Sequence, residues 1–293
     1  MLLISNLKAS SRKELLKAAE DGDTSAFESL SSESLSEALS LTNEDRRSLL
    51  HIAVASGHSQ VVEILSSCDG FAGVVNSADE EGWAPLHSAA SIGSLEIVQT
   101  LLTKVVRLDV KKVVIQWFST KVLVGYCDLN IKIFKVSATA LQLQLHRPHF
   151  FAILRNMKDG ADVNLKNGGG RTALHYAASK GWLKIAEILI SHNAKINIKD
   201  KVGCTPLHRA ASTGKSEMCE LLIEEGADVD AVDKAGQTPL MNAVICYNKE
   251  VALLLIRHGA DVDVEDKEGY TVLGRATDEF RPILIDAAKA MLE

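Results

Sequence analysis

Apolar residues recur three and four apart in a series of short runs, Ile97 with Leu101 and Met218 with Leu222 among them. This spacing predicts amphipathic helices of two to three turns, over residues 59–65, 94–102, 183–190, 216–223 and 249–256. Ahead of each lies a second short apolar run, several with a pair of small residues: Ala89-Ala90, Ala177-Ala178 and Ala210-Ala211. Small side chains let helices approach closely. Gly57, Gly93, Gly181 and Gly214 end these first helices, and returns such as Gly226-Ala227-Asp228-Val229-Asp230 and Gly259-Ala260-Asp261-Val262-Asp263 close the second ones.

The helix pairs carry a recurring phrase. Gly203-Cys204-Thr205-Pro206-Leu207-His208, Gly236-Gln237-Thr238-Pro239-Leu240-Met241 and Gly269-Tyr270-Thr271-Val272-Leu273-Gly274 follow one another at 33 residues, and Gly170-Arg171-Thr172-Ala173-Leu174-His175 precedes them at the same interval. The phrase before that, Gly82-Trp83-Ala84-Pro85-Leu86-His87, lies 88 residues ahead of its successor, which is one period plus 55. Removing residues 105–159 joins Leu101-Leu102-Thr103-Lys104 to Gly160-Ala161-Asp162-Val163-Asn164, the same form as the return after Ile256.

With the last residue of each phrase as origin, the register positions are His51, His87, His175, His208, Met241 and Gly274. Eight residues earlier stand Asn43, Asp79, Asn167, Asp200, Asp233 and Asp266; a short acid or amide there can hold a tight turn through its own backbone. Three residues earlier stand Ser48, Ala84, Thr172, Thr205, Thr238 and Thr271, most with a hydroxyl able to cap a helix start. Pro85, Pro206 and Pro239 follow, where a missing N–H costs nothing. The histidine can bond the neighbouring unit and is expected to be structural, not a base or ligand. Residues 14–23 keep the helix and the alanine pair but lack the phrase, as a terminal cap should, and residues 271–293 form the other cap. Counting caps gives seven units.

The phased phrases resemble ankyrin repeats over about residues 12–104 and 160–293. The resemblance implies an all-α solenoid: antiparallel helix pairs with projecting hairpins, forming a curved hand. Residues 1–104 would hold the N-terminal cap and first repeats, 105–159 an insertion, and 160–293 the remaining repeats and C-terminal cap. The insertion is rich in β-branched residues and holds six of the chain's aromatics, among them Trp117 and Tyr126. Three expectations stand for it: an irregular excursion, a small β-rich module, or a basic and aromatic nucleic-acid patch. Its apolar windows are an aggregation hazard if unfolded.

Charge sharpens the division. The net charge of −6 combines nine basic and three acidic residues in 105–159 with an acidic remainder. An acidic repeat body disfavours nucleic acid and favours a basic protein partner. The five cysteines lack CxxC spacing and are expected to be small buried or half-buried thiols in a reducing compartment. Neither a secretory leader nor a membrane span is expected. No phosphate-binding loop or HExxH occurs, Gly168-Gly169-Gly170 is expected to be a hairpin turn, and His146 with His149 makes a weak metal pair. No enzyme activity, cofactor or metal is expected.

Function should then reside in the variable outward positions. These are Glu44, Asp45, Arg47 and Ile52; Glu80, Glu81, Trp83, Ser88 and Ile92; Arg171, Tyr176 and Lys180; Lys201, Arg209 and Thr213; Lys234, Gln237 and Asn242; and Lys267, Glu268 and Tyr270. The candidate protein-binding set is Glu44, Asp45, Arg47, Glu80, Glu81, Trp83, Arg171, Lys180, Lys201, Arg209, Lys234 and Glu268. Acids surround Trp83 early in the chain and cations dominate later, so a partner of opposite polarity would match. The plainer alternative is a solvated surface, with Trp83 packing its own hairpin. Without the insertion, the size and layout are similar to the proteasome-associated ankyrin chaperones. That likeness implies a monomer that holds the C-terminal domain of a proteasome regulatory-particle ATPase subunit in cytoplasm and nucleus. A generic ankyrin adaptor in signalling or transcription is the alternative.

Overall fold

The computed structural model describes residues 9–68, 70–103 and 160–291. The chain divides into two units, Met1–Leu102 with Ala161–Glu293, and Thr103–Gly160. The first is the repeat stack. The three expectations for residues 105–159 lie outside the described residues.

The stack is helical, and no strand occurs among the described residues beyond an isolated bridge between Thr42 and Ser48. The helices are α1 Ala9–Asp21 and α2 Thr24–Glu28; α3 Ser32–Leu39; α4 Leu49–Ala55 and α5 Ser59–Ser66; α6 Phe71–Val74; and α7 Pro85–Ile92 and α8 Leu95–Thr103. Beyond the insertion come α9 Ala173–Lys180 and α10 Leu183–Ser191, α11 Pro206–Ser212 and α12 Ser216–Glu224, α13 Pro239–Ile245 and α14 Lys249–Arg257, and α15 Val272–Arg275 and α16 Arg281–Ala290. The expected second helices match α5, α8, α10, α12 and α14 to within about a residue at each end. Two short elements were not expected. Helix α3 sits between the first cap and the second unit, and the four-residue α6 lies in the one uninterrupted unit whose phrase spacing, His51 to His87, exceeds the period by three.

First helices stack on first helices, in the order α1, α4, α7, α9, α11, α13, α15. The phrase leucines Leu50, Leu86, Leu174, Leu207 and Leu240 line this stack and are almost fully buried, as are Leu65, Leu101, Leu189, Leu222 and Leu255 from the second helices. Burying each such side chain contributes about 1.5–3 kcal/mol. The alanine pairs are fully buried where first helices meet.

The stack runs through the junction at the insertion. In the other units the alanine after the second helix donates its N–H back five residues: Ala194 to Leu189 O at 2.9 Å, Ala227 to Leu222 O at 2.8 Å and Ala260 to Leu255 O at 3.0 Å. Across the junction Ala161 donates to Leu101 O at 2.9 Å. Sixty residues of chain thus separate partners that hold the geometry of a five-residue closure. The third unit's return is also intact, with Asp162 N–H donating to Asn76 Oδ1 at 2.7 Å.

Candidate protein-binding face

Each hairpin tip is built on the short polar residue eight before the origin. Asp79 Oδ1 accepts from the N–H of Glu81 at 3.0 Å and of Trp83 at 2.8 Å. Asn167, Asp200, Asp233 and Asp266 repeat the pair of bonds at 2.8–3.1 Å. The turn needs a left-handed residue five before the origin, where Gly82 has φ of 80° and Gly203 of 87°. Space is limiting too: a Cβ on Gly203 would lie 2.7 Å from the backbone nitrogen of Lys234. Arg46 takes the same conformation, φ 61°, at the outermost hairpin.

Neighbouring tips are joined by one backbone bond each. Glu80 N–H donates to Asp45 O, Gly168 to Glu81 O, Lys201 to Gly169 O, Lys234 to Val202 O and Lys267 to Ala235 O, all at 2.9–3.1 Å. This ladder crosses the insertion junction without a break.

The second oxygen of the turn carboxylate draws in arginines from two directions. Asp200 Oδ2 pairs with Arg209 of its own unit and with Arg171 of the preceding one, Nε to oxygen 3.6 Å. Asp79 pairs with Arg47 at 3.2 Å, and Asp266 with Arg275, which also binds Glu268 at 2.8 Å. Burial alone would raise the Asp200 pKa, but the hydrogen bond and charge of Arg209 outweigh it and hold the carboxyl below its ordinary value. Arg47, Arg171, Arg209 and Glu268, expected to face a partner, are therefore engaged within the chain. Arg275 was not anticipated, although it stands one past the origin, in the register of Arg209.

Between the third and fourth units the same slot is filled differently. Asn167 replaces the aspartate and donates to Tyr176 Oη at 2.7 Å. Tyr176 packs on Trp83, ring centroids 4.7 Å apart, and Trp83 meets His87 edge-on at 6.2 Å. Trp83 is half-buried: its ring seals the next unit's surface as well as facing outward, beyond the packing on its own hairpin expected of the plainer alternative. Glu44, Asp45, Glu80 and Glu81 are exposed on the early tips and Lys201, Lys234 and Lys267 on the later ones, whereas Lys180 is exposed at the far end of α9, away from the tips. Asp45 accepts from Asn43 at 3.3 Å. A second outlying aromatic, Trp182, is 41% exposed and lies over Gly93 at the opposite end of the first helices; it was not anticipated.

Behind the tips runs a column of histidines. His175 Nδ1 accepts from the Thr172 N–H at 3.1 Å, so Nε2 carries the proton and donates to Cys204 O of the next unit at 3.1 Å. His51 donates to Ser77 O and Trp83 O, His87 to Leu165 O and Arg171 O, and His208 to Gln237 O, at 2.9–3.1 Å. Burial lowers the pKa of all four, that of His175 to about 4. These are neutral, bonded rings that join units, as the sequence pattern suggested. Burial likewise pushes Cys204 up to about 11 and Cys219 up to about 12, which makes them poor nucleophiles. Cys68 is half-buried and Cys246 is exposed, whereas Cys127 lies outside the described residues. Among the described residues no group of acids, cysteines and histidines is placed to hold a metal, and no helix is long and apolar enough to cross a membrane.

A stack of helix pairs with a shared edge of hairpin tips defines a repeat scaffold that binds other proteins. The ankyrin-repeat model matches three times, over residues 15–112, 142–233 and 225–293, and the chain belongs to that family. It is similar to the probable 26S proteasome regulatory subunit p28 of Saccharomyces cerevisiae, 28% identical over 50% of this chain and 56% of the yeast protein. It is also similar to the nuclear factor NF-kappa-B p105 subunit of Gallus gallus, 35% identical over 52% of this chain and 13% of that protein. The chain thus spans about half the length of the yeast relative and less of the chicken one. Among solved structures, the ankyrin repeat domain of Bcl-3 superposes with a TM-score of 0.65 at 20% identity, covering 93% of this chain and 97% of that one. That of human ASB11 gives 0.62 at 21% identity, covering 93% and 96%. These two likenesses concern the fold.

Proposed function

We propose that this chain is a chaperone for assembly of the proteasome regulatory-particle base, holding the C-terminal domain of one ATPase subunit against its hairpin tips. In this it would act like gankyrin, the proteasome-associated ankyrin protein, in cytoplasm and nucleus. The observation that carries the proposal is the similarity to a proteasome regulatory subunit. The tip surface supports it with exposed acids around Trp83 in the second and third units and lysines in the fifth to seventh, a polarity that fixes which way a partner of opposite charge can lie.

Affinity capture from cell extract with the full chain should recover a regulatory-particle ATPase subunit ahead of mature proteasome. Trp83→Ala should weaken that complex about tenfold or more if the ring is a central anchor. Charge reversal at Glu80 and Glu81 should slow association, less so as salt rises. The likeness to an NF-kappa-B precursor favours a second reading, an adaptor in signalling or transcription. Recovery of a kinase or transcription factor without any ATPase subunit would establish that reading instead.

A further inference from the structure

The later half of the tip surface contains cations of two kinds. Arg171, Arg209 and Arg275 are held by buried turn carboxylates. Lys201, Lys234 and Lys267 are exposed, sit at the same place in three successive tips, and make no side-chain ion pair or hydrogen bond among the described residues. We propose that these three lysines form a row that docks an acidic α-helix, with carboxylates recurring every seventh residue along its face. This deepens the proposed function and rests on it only for the identity of the client.

The spacing follows from the stack. Packed helices lie about 8–10 Å apart, and α11, α13 and α15 pack in succession behind these tips. One backbone bond per step, Lys234 to Val202 and Lys267 to Ala235 at 2.9 Å, keeps the tips at that interval. A helix rises about 1.5 Å per residue, so seven residues advance about 10.5 Å and return to nearly the same face. One carboxylate per heptad therefore meets one lysine per unit.

The backbone argues against an extended partner. Strand addition needs unpaired N–H groups along an edge. In the fifth tip the donors of Lys201, Val202, Gly203 and Cys204 are all bonded within the chain. The corresponding four donors are bonded in the sixth and seventh tips as well. Recognition is left to side chains, and Val202 and Tyr270, 53% and 49% exposed, add apolar surface beside the lysines. A helix offers acids and apolar groups on one face with its own backbone satisfied.

The test uses the full chain and three synthetic peptides of equal length, each carrying three Glu. One is helical with Glu at every seventh position, one is helical with the same Glu residues out of phase, and one is held extended by proline with Glu at every third position. Fluorescence anisotropy at low salt should show the in-phase helix binding roughly fivefold to tenfold tighter than the out-of-phase one, as three exposed ion pairs allow. Combined Lys201→Glu, Lys234→Glu and Lys267→Glu should abolish the difference, with circular dichroism unchanged. Equal binding of the two helices, a preference for the extended peptide, or a preference that survives the triple reversal would overturn the proposal. If the captured ATPase subunit binds the triple variant as well as the parent, the lysine row fails while the assembly role stands. If no ATPase subunit is captured but the in-phase preference appears, the assembly role fails and the row stands.

Discussion

The interface between the third and fourth units and the one between the fourth and fifth solve the same problem with different chemistry. Both must seal the place where a hairpin turn, a first helix and the preceding tip converge. At the later interface the buried Asp200 collects Arg171 and Arg209. At the earlier one Asn167 holds Tyr176, and the tyrosine packs on Trp83. The turn itself is indifferent, since either an acid or an amide accepts the same two N–H bonds. What changes is the spare polar atom, and with it the residues one past and four before the origin. The buried carboxylate of Asp200 draws in two cations, whereas the amide of Asn167 makes do with a phenol.

The largest difference should appear on removing the acid. Asp200→Ala takes away the turn and leaves two cations without their buried counter-charge, and should cost about 3 kcal/mol or more. Urea unfolding would measure it. Asn167→Ala loses a turn but strands no charge, so a cost equal to that of Asp200→Ala would show that the turn, not the ion pair, dominates both interfaces.

Acid comes next. A ring whose folded pKa is depressed stabilises the fold above its unfolded value, near 6.5, and that contribution is lost as pH falls toward the folded value. For His175, with a folded value of about 4, the window is pH 6.5 to about 4, and the loss at pH 5 is about 2 kcal/mol. The lowered carboxyl of Asp200 acts later, below its ordinary 3.8. Stability should therefore fall between pH 7 and 5 while the Asp200 carboxylate is still ionised. A flat profile over that range would mean that the rings do not hold their interfaces in the neutral form.

Excision of residues 105–159 tests whether the aromatic interface is self-sufficient. Its closure already has the geometry of the uninterrupted units, so the shortened chain should fold, and loop-closure entropy would favour it by at most about 2 kcal/mol. Failure of the shortened chain to fold would make the segment an integral part of the stack. Smallest of all, Arg171→Ala removes a partner that is 41% exposed and 3.6 Å from its acid, and should cost well under 1 kcal/mol. Trp83→Ala should cost more than this in stability, because its ring is packed on Tyr176.

The sequence pattern disclosed most of the scaffold. Helix ends, the proline and hydroxyl starts and the bonded histidines all follow from local periodicity and register. The engaged state of Arg47, Arg171 and Arg209 did not: Arg47 and Arg171 reach a carboxylate of the next unit, a pair that only the stacking distance makes, and Arg209 folds back on the turn of its own unit. For the same reason Trp83 looked more open than it is: its partner Tyr176 lies beyond the insertion. Tyr247 was invisible in another way. It takes a left-handed φ of 60° where other units place glycine, and its ring finds Phe280 of the last unit at 5.7 Å. Helices α3 and α6 fall outside the repeat, so register could not announce them.

The histidine column also works as an internal gauge. Each imidazole proton is buried in a bond to the unit that follows, so four ring N–H groups report on four successive interfaces. In a proton spectrum such groups resonate far downfield and exchange slowly only while their interface is closed. Fraying from the C-terminal end would erase the His208 signal first and leave that of His51 until last, whereas loosening from the N-terminal cap would reverse the order. One molecule, unlabelled, thereby records from which end its repeats come apart.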